Sequence, residues 1–144
     1  MKVMVFVKAS KSSEAGVMPP AEMFAAMGKF NEELIDAGVM VVCGGLTPSS
    51  RGARVRFSGS DRTVTDGPFA ETKELVAGFW VWKVSTLQEA IDWVKKCPNP
   101  MIEDSEIEIR PFIEPEELAA AIDPAVPEQE TRLKVRARVV NWTP

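Results

Sequence analysis

Apolar and polar residues alternate along several stretches of this chain, and the alternation predicts four main strands. Residues 2–8 alternate loosely and are rich in Val and Phe, which predicts a buried first strand. Residues 39–46 predict a second strand. Residues 75–84 are almost continuously apolar, which is typical of a central strand covered on both faces. Residues 105–112 alternate cleanly and predict the last strand.

Helical periodicity fills the gaps between these strands. Met23, Met27, Phe30 and Leu34 recur at helical spacing and predict an amphipathic helix over about residues 20–37, followed by Gly38 as its left-handed end. The segment Thr86-Leu87-Gln88-Glu89 fits a capping box and predicts a second helix, which Pro98 and Pro100 terminate. Residues 9–17 are polar and are predicted to form a loop.

The order of elements indicates the fold. Residues 54–57 and 62–65 flank turn residues and predict a short β-hairpin with one exposed side. Without that inserted hairpin the order is β-α-β-β-α-β, which is the α+β, ferredoxin-like pattern with both helices on one face of an antiparallel sheet.

The central strand carries large apolar residues on both faces. Phe79 and Val81 point one way, and Trp80 and Trp82 point the other. Since two helices cover only one face, the other face needs a second cover. A second copy of the sheet is the natural one, so the sequence predicts a homodimer with sheets packed face to face.

Residues 114–144 differ from the rest and are predicted to form a C-terminal extension, separate from a domain over 1–113. A helix is predicted from Glu114 to Ile122, and residues 132–139 alternate strictly between basic and apolar residues. The second pattern predicts an edge strand or a dimer arm with a basic outer face. The alternative is a contact with nucleic acid or with an acidic partner. Nucleic acid is disfavoured, because no aromatic residue or binding motif accompanies the charges.

Composition removes several classes of function. The 144 residues carry a net charge of −4 and include no histidine and no tyrosine, which excludes Ser-His and Cys-His nucleophilic sites. Cys43 and Cys97 form no metal-binding spacing, and we expect two reduced thiols in a cytoplasmic protein. No apolar run is long enough for a membrane span or a signal peptide. No cofactor motif is visible, so none is predicted.

The stretch 65–74, Thr-Asp-Gly-Pro-Phe-Ala-Glu-Thr-Lys-Glu, holds the candidate chemistry. Turn formation explains its start: Asp66 bonds its own backbone, Gly67 permits positive φ, and Phe69 plugs the core.

The functional interpretation of the stretch 65–74 is a pocket at the open face of the sheet. There Asp66 and Glu71 form an acid/base pair. Ligand-binding residues are then expected among the neighbours, namely Phe69, Lys73, Trp80, Trp82 and Arg110. Lys73 or Arg110 would hold an anionic group, and one of the two tryptophans would line the interface side. No metal site is predicted, since the carboxylate spacing matches no established loop.

The residues Asp66-Gly67-Pro68-Phe69-Ala70-Glu71-Thr72-Lys73-Glu74 resemble the signature of the DGPF-domain, or YCII-related, family. The resemblance covers about residues 1–113 and implies a ferredoxin-like fold in a dimeric α/β-barrel arrangement. It also implies kinship with small enzymes of the muconolactone-isomerase type, in which a His-Asp pair is suspected of catalysis. Without histidine, Asp66 is the remaining candidate. A sigma factor is implied as a regulatory partner.

Three functions follow as hypotheses. The favoured one is a homodimeric small-molecule-binding or regulatory protein, whose ligand is a small acidic or aromatic metabolite. The second is a cofactor-independent lyase or isomerase that uses Asp66 as its acid or base. The third is a structural module for protein interaction. The missing histidine disfavours the enzyme.

Overall fold

The computed structural model describes residues 1–114 and residue 117. In chain order the strands are β1 (Lys2–Lys8), β2 (Met40–Gly45), β3 (Ala53–Ser58), β4 (Asp61–Asp66), β5 (Val76–Lys83) and β6 (Ile107–Pro111). The helices are α1 (Lys11–Glu14), α2 (Ala21–Asp36) and α3 (Leu87–Lys96). The helix and edge strand predicted for the C-terminal extension fall on residues that, apart from 114 and 117, lie outside this description.

Four of the strands form one antiparallel sheet in the order β2-β5-β1-β6. This is the strand order of a ferredoxin-like domain, and it confirms the predicted α+β class. The central pair is β5 and β1, so the most apolar segment of the sequence lies in the middle of the sheet. Strands β3 and β4 pair with each other as a separate two-stranded sheet, which confirms the inserted hairpin. Every residue of this hairpin is exposed, rather than one side only as expected.

The core lies between the sheet and the two longer helices. Val3 and Val5 of β1 face the helices and are fully buried. Their partners across the sheet are Trp82 and Trp80 of β5. Phe30 of α2 meets both tryptophan rings edge-on, at centroid distances of 6.4 and 6.3 Å. Aromatic rings therefore fill the space that α2 covers.

Both tryptophans lie on the helix side of the sheet. The expectation that one of Trp80 and Trp82 lines the open face was wrong, because residues two apart in a strand project from the same face. Phe79 and Val81 project from the opposite face, as predicted, where they lie beside Phe6 and Met4 of β1.

The structure confirms the predicted ends of the two longer helices, and it contains one short helix that the sequence did not predict. Gly38 follows α2 with φ 70°, in the left-handed conformation that ends many helices. The Thr86 side chain accepts a hydrogen bond from the backbone of Glu89 at 3.1 Å and caps α3. Residues 9–17 are not all loop, since α1 forms there on a capping box between Ser10 and Ser13.

Candidate functional site

A cleft of about 820 Å³ opens on the helix side of the sheet. Its floor includes Val7 of β1, Cys43 of β2 and Trp80 of β5, and its wall includes Met23 and Met27 of α2. It therefore lies on the opposite face from the pocket that the sequence predicted. Its volume is in the range of pockets that hold small molecules.

The walls of the cleft are mainly apolar and adaptable. Two methionines come from α2, Met18 comes from the segment before it, and Met101 comes from the loop after α3. Thioether side chains are unbranched and polarisable, so they fit irregular apolar ligands. Arg51, in a 3₁₀ turn over Ser49–Arg51, stands at the rim and is the one charged residue among the described residues of the lining.

The described lining carries two side-chain amides, Asn31 and Asn99, and the amide of Asn31 is hydrogen-bonded to an aromatic side chain of the floor. The indole N–H of Trp80 donates a hydrogen bond to Oδ1 of Asn31 at 2.9 Å, and both residues line the cleft. Trp80 is itself held between the rings of Phe30 and Trp82, at centroid distances of 6.3 and 5.8 Å. The amide of Asn31 therefore has a defined orientation inside the cleft.

The segment 10–19 borders the cleft and is fastened on two sides. The backbone N–H of Ser12 donates to the Glu103 carboxylate at 2.8 Å. On the other side, the Glu14 carboxylate accepts from the backbone N–H and the hydroxyl of Ser49, the former at 3.0 Å. Hydrogen bonds from the hydroxyl and the backbone N–H of Ser12 lower the pKa of Glu103 to about 2. Two carboxylates thus join this segment to the neighbouring loops.

The Asp-Gly-Pro-Phe stretch packs against the loop that carries Ser49. The backbone N–H of Phe69 donates to the Ser49 hydroxyl at 3.1 Å, and that of Gly67 donates to the Gly52 carbonyl at 2.9 Å. A Cβ atom at Gly67 would lie 1.7 Å from the Ser49 carbonyl oxygen, which no side chain can tolerate. Gly67 is therefore required by close backbone approach. The predicted positive φ was wrong, since Gly67 is not among the positive-φ residues.

The predicted catalytic pair lies outside the cleft lining. Asp66 ends β4 opposite Ala53 and is exposed. Within the described part of the chain its carboxylate makes no hydrogen bond, so the predicted bond to its own backbone is absent. Glu71 is exposed and left-handed, with φ 67°. Lys73 is exposed in a second 3₁₀ turn, Thr72–Glu74. A catalytic role for Asp66 and Glu71 stays a prediction.

The predicted ligand-binding residues are dispersed. Trp80 alone among them belongs to the described lining of the cleft. Trp82 is fully buried in the core. Phe69 is half-buried, with the Arg54 guanidinium 3.9 Å from its ring centroid. Arg110 is exposed on β6, opposite Met4 of β1, and projects from the open face.

Sequence reasoning missed Asn31, Glu14 and Ser49. Asn31 had a detectable signal, because it continues the helical row of Met23 and Met27 with a polar side chain where an apolar one is expected. The Glu14–Ser49 contact joins residues 35 positions apart in two polar stretches, and no local pattern marks it.

Two further properties of the described residues bear on the kind of site. No group of three or more Cys, Asp or Glu side chains comes together there in a way that could hold a metal ion. None of the helices in that part of the chain has the length and apolar character that a membrane crossing requires.

The fold and the cleft together define a ferredoxin-like α+β protein with an apolar chamber between sheet and helix. The chain belongs to the family of the YCII-related domain, which matches residues 1–114. An uncharacterized protein of Rhizobium meliloti (strain 1021) is 35% identical over 78 residues, covering 54% of this chain and 63% of that protein. The chain thus matches less than two thirds of that relative.

Among solved structures, the chain is similar to 5-chloro-2-hydroxyhydroquinone dehydrochlorinase of Burkholderia phenoliruptrix AC1100, in complex with 2,5-dihydroxybenzoquinone. The TM-score is 0.40 with 16% identity, over 75% of this chain and 91% of the other.

Proposed function

We propose that this protein binds a small, mainly apolar molecule in the cleft, as a homodimeric binding or regulatory protein. The observation that carries the proposal is the cleft itself, about 820 Å³ lined by methionines and Trp80, with the oriented amide of Asn31 among them. Small-molecule sites combine apolar walls with a few placed polar groups in this way. No carboxylate belongs to the described lining, so acid/base catalysis is not part of the proposal.

The test fills the cleft with a side chain. Gly45 lines the cleft, and a Cβ atom there would meet nothing within 4 Å, so Gly45→Phe has room to enter. We expect 8-anilinonaphthalene-1-sulfonate to bind the wild type with 1:1 saturation, followed by its fluorescence. Gly45→Phe should weaken that binding at least about tenfold, the effect of losing roughly 1.4 kcal/mol.

Gly28→Phe is the matched control. Gly28 lies on α2 outside the described lining, and its added Cβ also meets open space. This variant should bind the dye as the wild type does. Equal affinity in Gly45→Phe and Gly28→Phe would contradict a binding site in the cleft.

The proposed homodimer is supported by the open face of the sheet. Phe6, Phe79 and Met4 project from that face and are half-buried, while α2 and α3 pack on the other side. Glu108 and Arg110 flank the apolar area on β6. In a two-fold dimer, opposite charges on one patch can pair with the same patch of a second copy.

Light scattering on the wild type tests the assembly. We expect the mass of a dimer, and we expect Phe6→Glu to give a monomer because it buries a charge between the sheets. Phe57→Glu is the control, because Phe57 is 71% exposed on the hairpin, which forms a separate two-stranded sheet. A monomeric wild type would refute the dimer. A sigma factor as regulatory partner stays a prediction that co-purification can test.

A further inference from the structure

The orientation of Asn31 limits what the cleft can bind. An indole N–H is only a donor, so the atom that faces Trp80 at 2.9 Å must be the oxygen of the amide. The NH₂ group of Asn31 is then left without a partner among the described residues. Because Trp80 is packed between two aromatic rings, the amide cannot turn over without breaking this bond.

The surroundings make the free NH₂ group selective. In the same helical row of α2, Met27 and Met23 line the cleft one and two turns earlier, and Phe24 of this helix also belongs to the lining. A donor beside such an apolar wall gains most from an acceptor on the ligand, since a ligand without one leaves the donor unpaired. Methionine sulfur also makes favourable contacts with aromatic rings, so the wall and the amide together favour an aromatic molecule that carries one oxygen acceptor.

The rim adds a charge requirement. Arg51 is exposed, and its guanidinium contacts no other described residue through a hydrogen bond or ion pair. It is also the one charged group of the described lining. A guanidinium binds a carboxylate in two-point geometry. The rim therefore complements an anionic end of a ligand whose apolar part lies deeper.

We propose that the cleft binds an aromatic carboxylate that bears a second oxygen acceptor on its ring system. The NH₂ group of Asn31 donates a hydrogen bond to the acceptor, and Arg51 forms an ion pair with the carboxylate. This proposal rests on the proposed function, since it names the ligand class of the same cleft. Asn31 is a specificity-determining residue, whereas Trp80 acts as a positioning residue through the hydrogen bond to its amide.

A matched pair of probes isolates the acceptor. 6-Methoxy-2-naphthoate carries an ether oxygen where 6-ethyl-2-naphthoate carries a methylene group of similar shape. We expect the wild type to bind the methoxy compound about 3- to 10-fold more tightly, as one net hydrogen bond would give. Quenching of tryptophan fluorescence gives both dissociation constants.

Variants of Asn31 test whether its NH₂ group causes the preference for the methoxy compound. Asn31→Asp keeps an acceptor for the Trp80 indole but removes both donors, and its added charge acts equally on two naphthoates. We expect the methoxy preference to disappear in this variant. Asn31→Leu serves as a second test without new charge. A preference that survives in both variants, or that is absent in the wild type, would overturn the proposal.

Arg51→Gln tests the anionic end. We expect both naphthoates to bind about 2- to 5-fold more weakly at low salt, as an exposed ion pair would give. The neutral 2-methoxynaphthalene should bind this variant and the wild type equally. An unchanged naphthoate affinity would refute the role of Arg51. If anilinonaphthalenesulfonate binds but the naphthoates show no such pattern, only the ligand class fails; if no probe binds, the proposed function fails as well.

Discussion

The Glu14 carboxylate accepts hydrogen bonds from both the backbone N–H and the hydroxyl of Ser49. The backbone N–H of Ser49 donates to Oε1 at 3.0 Å, and its hydroxyl donates to Oε2 at 2.5 Å. The same hydroxyl accepts from the backbone N–H of Phe69 at 3.1 Å. One serine therefore connects the short helix α1 beside the cleft with the Asp-Gly-Pro-Phe stretch.

Ser49→Ala should destabilise the fold. The change removes one hydrogen bond to Glu14 and leaves the half-buried Phe69 N–H without a partner, which costs about 1–3 kcal/mol. Urea unfolding followed by circular dichroism gives the free energy of unfolding. Ser50→Ala, at an exposed neighbour, should change it by less than about 0.5 kcal/mol. Equal effects of the two substitutions would show that the connection through Ser49 is not stabilising.

Gly67→Ala should be among the most damaging single changes in the described part of the chain. The new Cβ would lie 1.7 Å from the Ser49 carbonyl oxygen, so the turn and the loop must separate. We expect a loss of about 3 kcal/mol, the upper part of the range for overpacking. Thermal and urea unfolding measure it.

The same substitution at Gly28 has the opposite expected sign. Gly28 lies inside α2, and its added Cβ meets nothing within 4 Å. Alanine has the better helix propensity, so Gly28→Ala should stabilise by about 0.5–1 kcal/mol. A Gly67→Ala protein as stable as the wild type would contradict the close approach of the two loops.

The sequence predicted most of the fold because burial repeats along each element. The period-two pattern of β1 and the helical row of α2 each follow from one covered face, so both could be read locally. Helix α1 was missed because it spans only 4 residues and buries none of them. Its signal is a serine capping box, which a polar loop can also contain.

The site was predicted less well for a physical reason. Its polar contacts join distant positions, such as Asn31 with Trp80, 49 residues apart. Local patterns cannot show such pairs. Asp66 was predicted as an acid or base because turn-forming residues are also the residues of acid/base chemistry. It lies outside the described lining of the cleft.

Glu103 should make the stability of the fold depend on pH in the acidic range. Hydrogen bonds from Ser12, through its hydroxyl and its backbone N–H, lower the pKa of Glu103 to about 2, below the value of about 4.3 for an unfolded chain. A lowered carboxyl pKa contributes stability that is complete above the unfolded value. That contribution is lost as the pH falls toward the folded value. The relevant window is therefore about pH 4.5 to pH 2.

Glu103→Gln tests this dependence. The variant should melt below the wild type at pH 6, and the difference in melting temperature should shrink as the pH falls through that window. Glu32→Gln, at an exposed carboxylate of α2, should leave the melting temperature close to that of the wild type. A difference for Glu103→Gln that stays constant from pH 6 to pH 2 would show that Ser12 does not stabilise the charged carboxylate.

The two thiols should react at very different rates, and the faster one reports on the cleft. Cys43 is exposed and lines the cleft, whereas Cys97 is half-buried and burial raises its pKa to about 11. At pH 8 the thiolate is then about one part in a thousand of the Cys97 side chain, so a thiolate-specific reagent should label Cys43 first.

Ellman's reagent with the single variants Cys43→Ser and Cys97→Ser separates the two rates. Labelling of Cys97 should rise about tenfold per pH unit up to pH 10. Bound anilinonaphthalenesulfonate should slow Cys43 and leave Cys97 unchanged. Faster labelling of Cys97 at pH 8, or labelling of Cys43 that the dye does not slow, would contradict this arrangement.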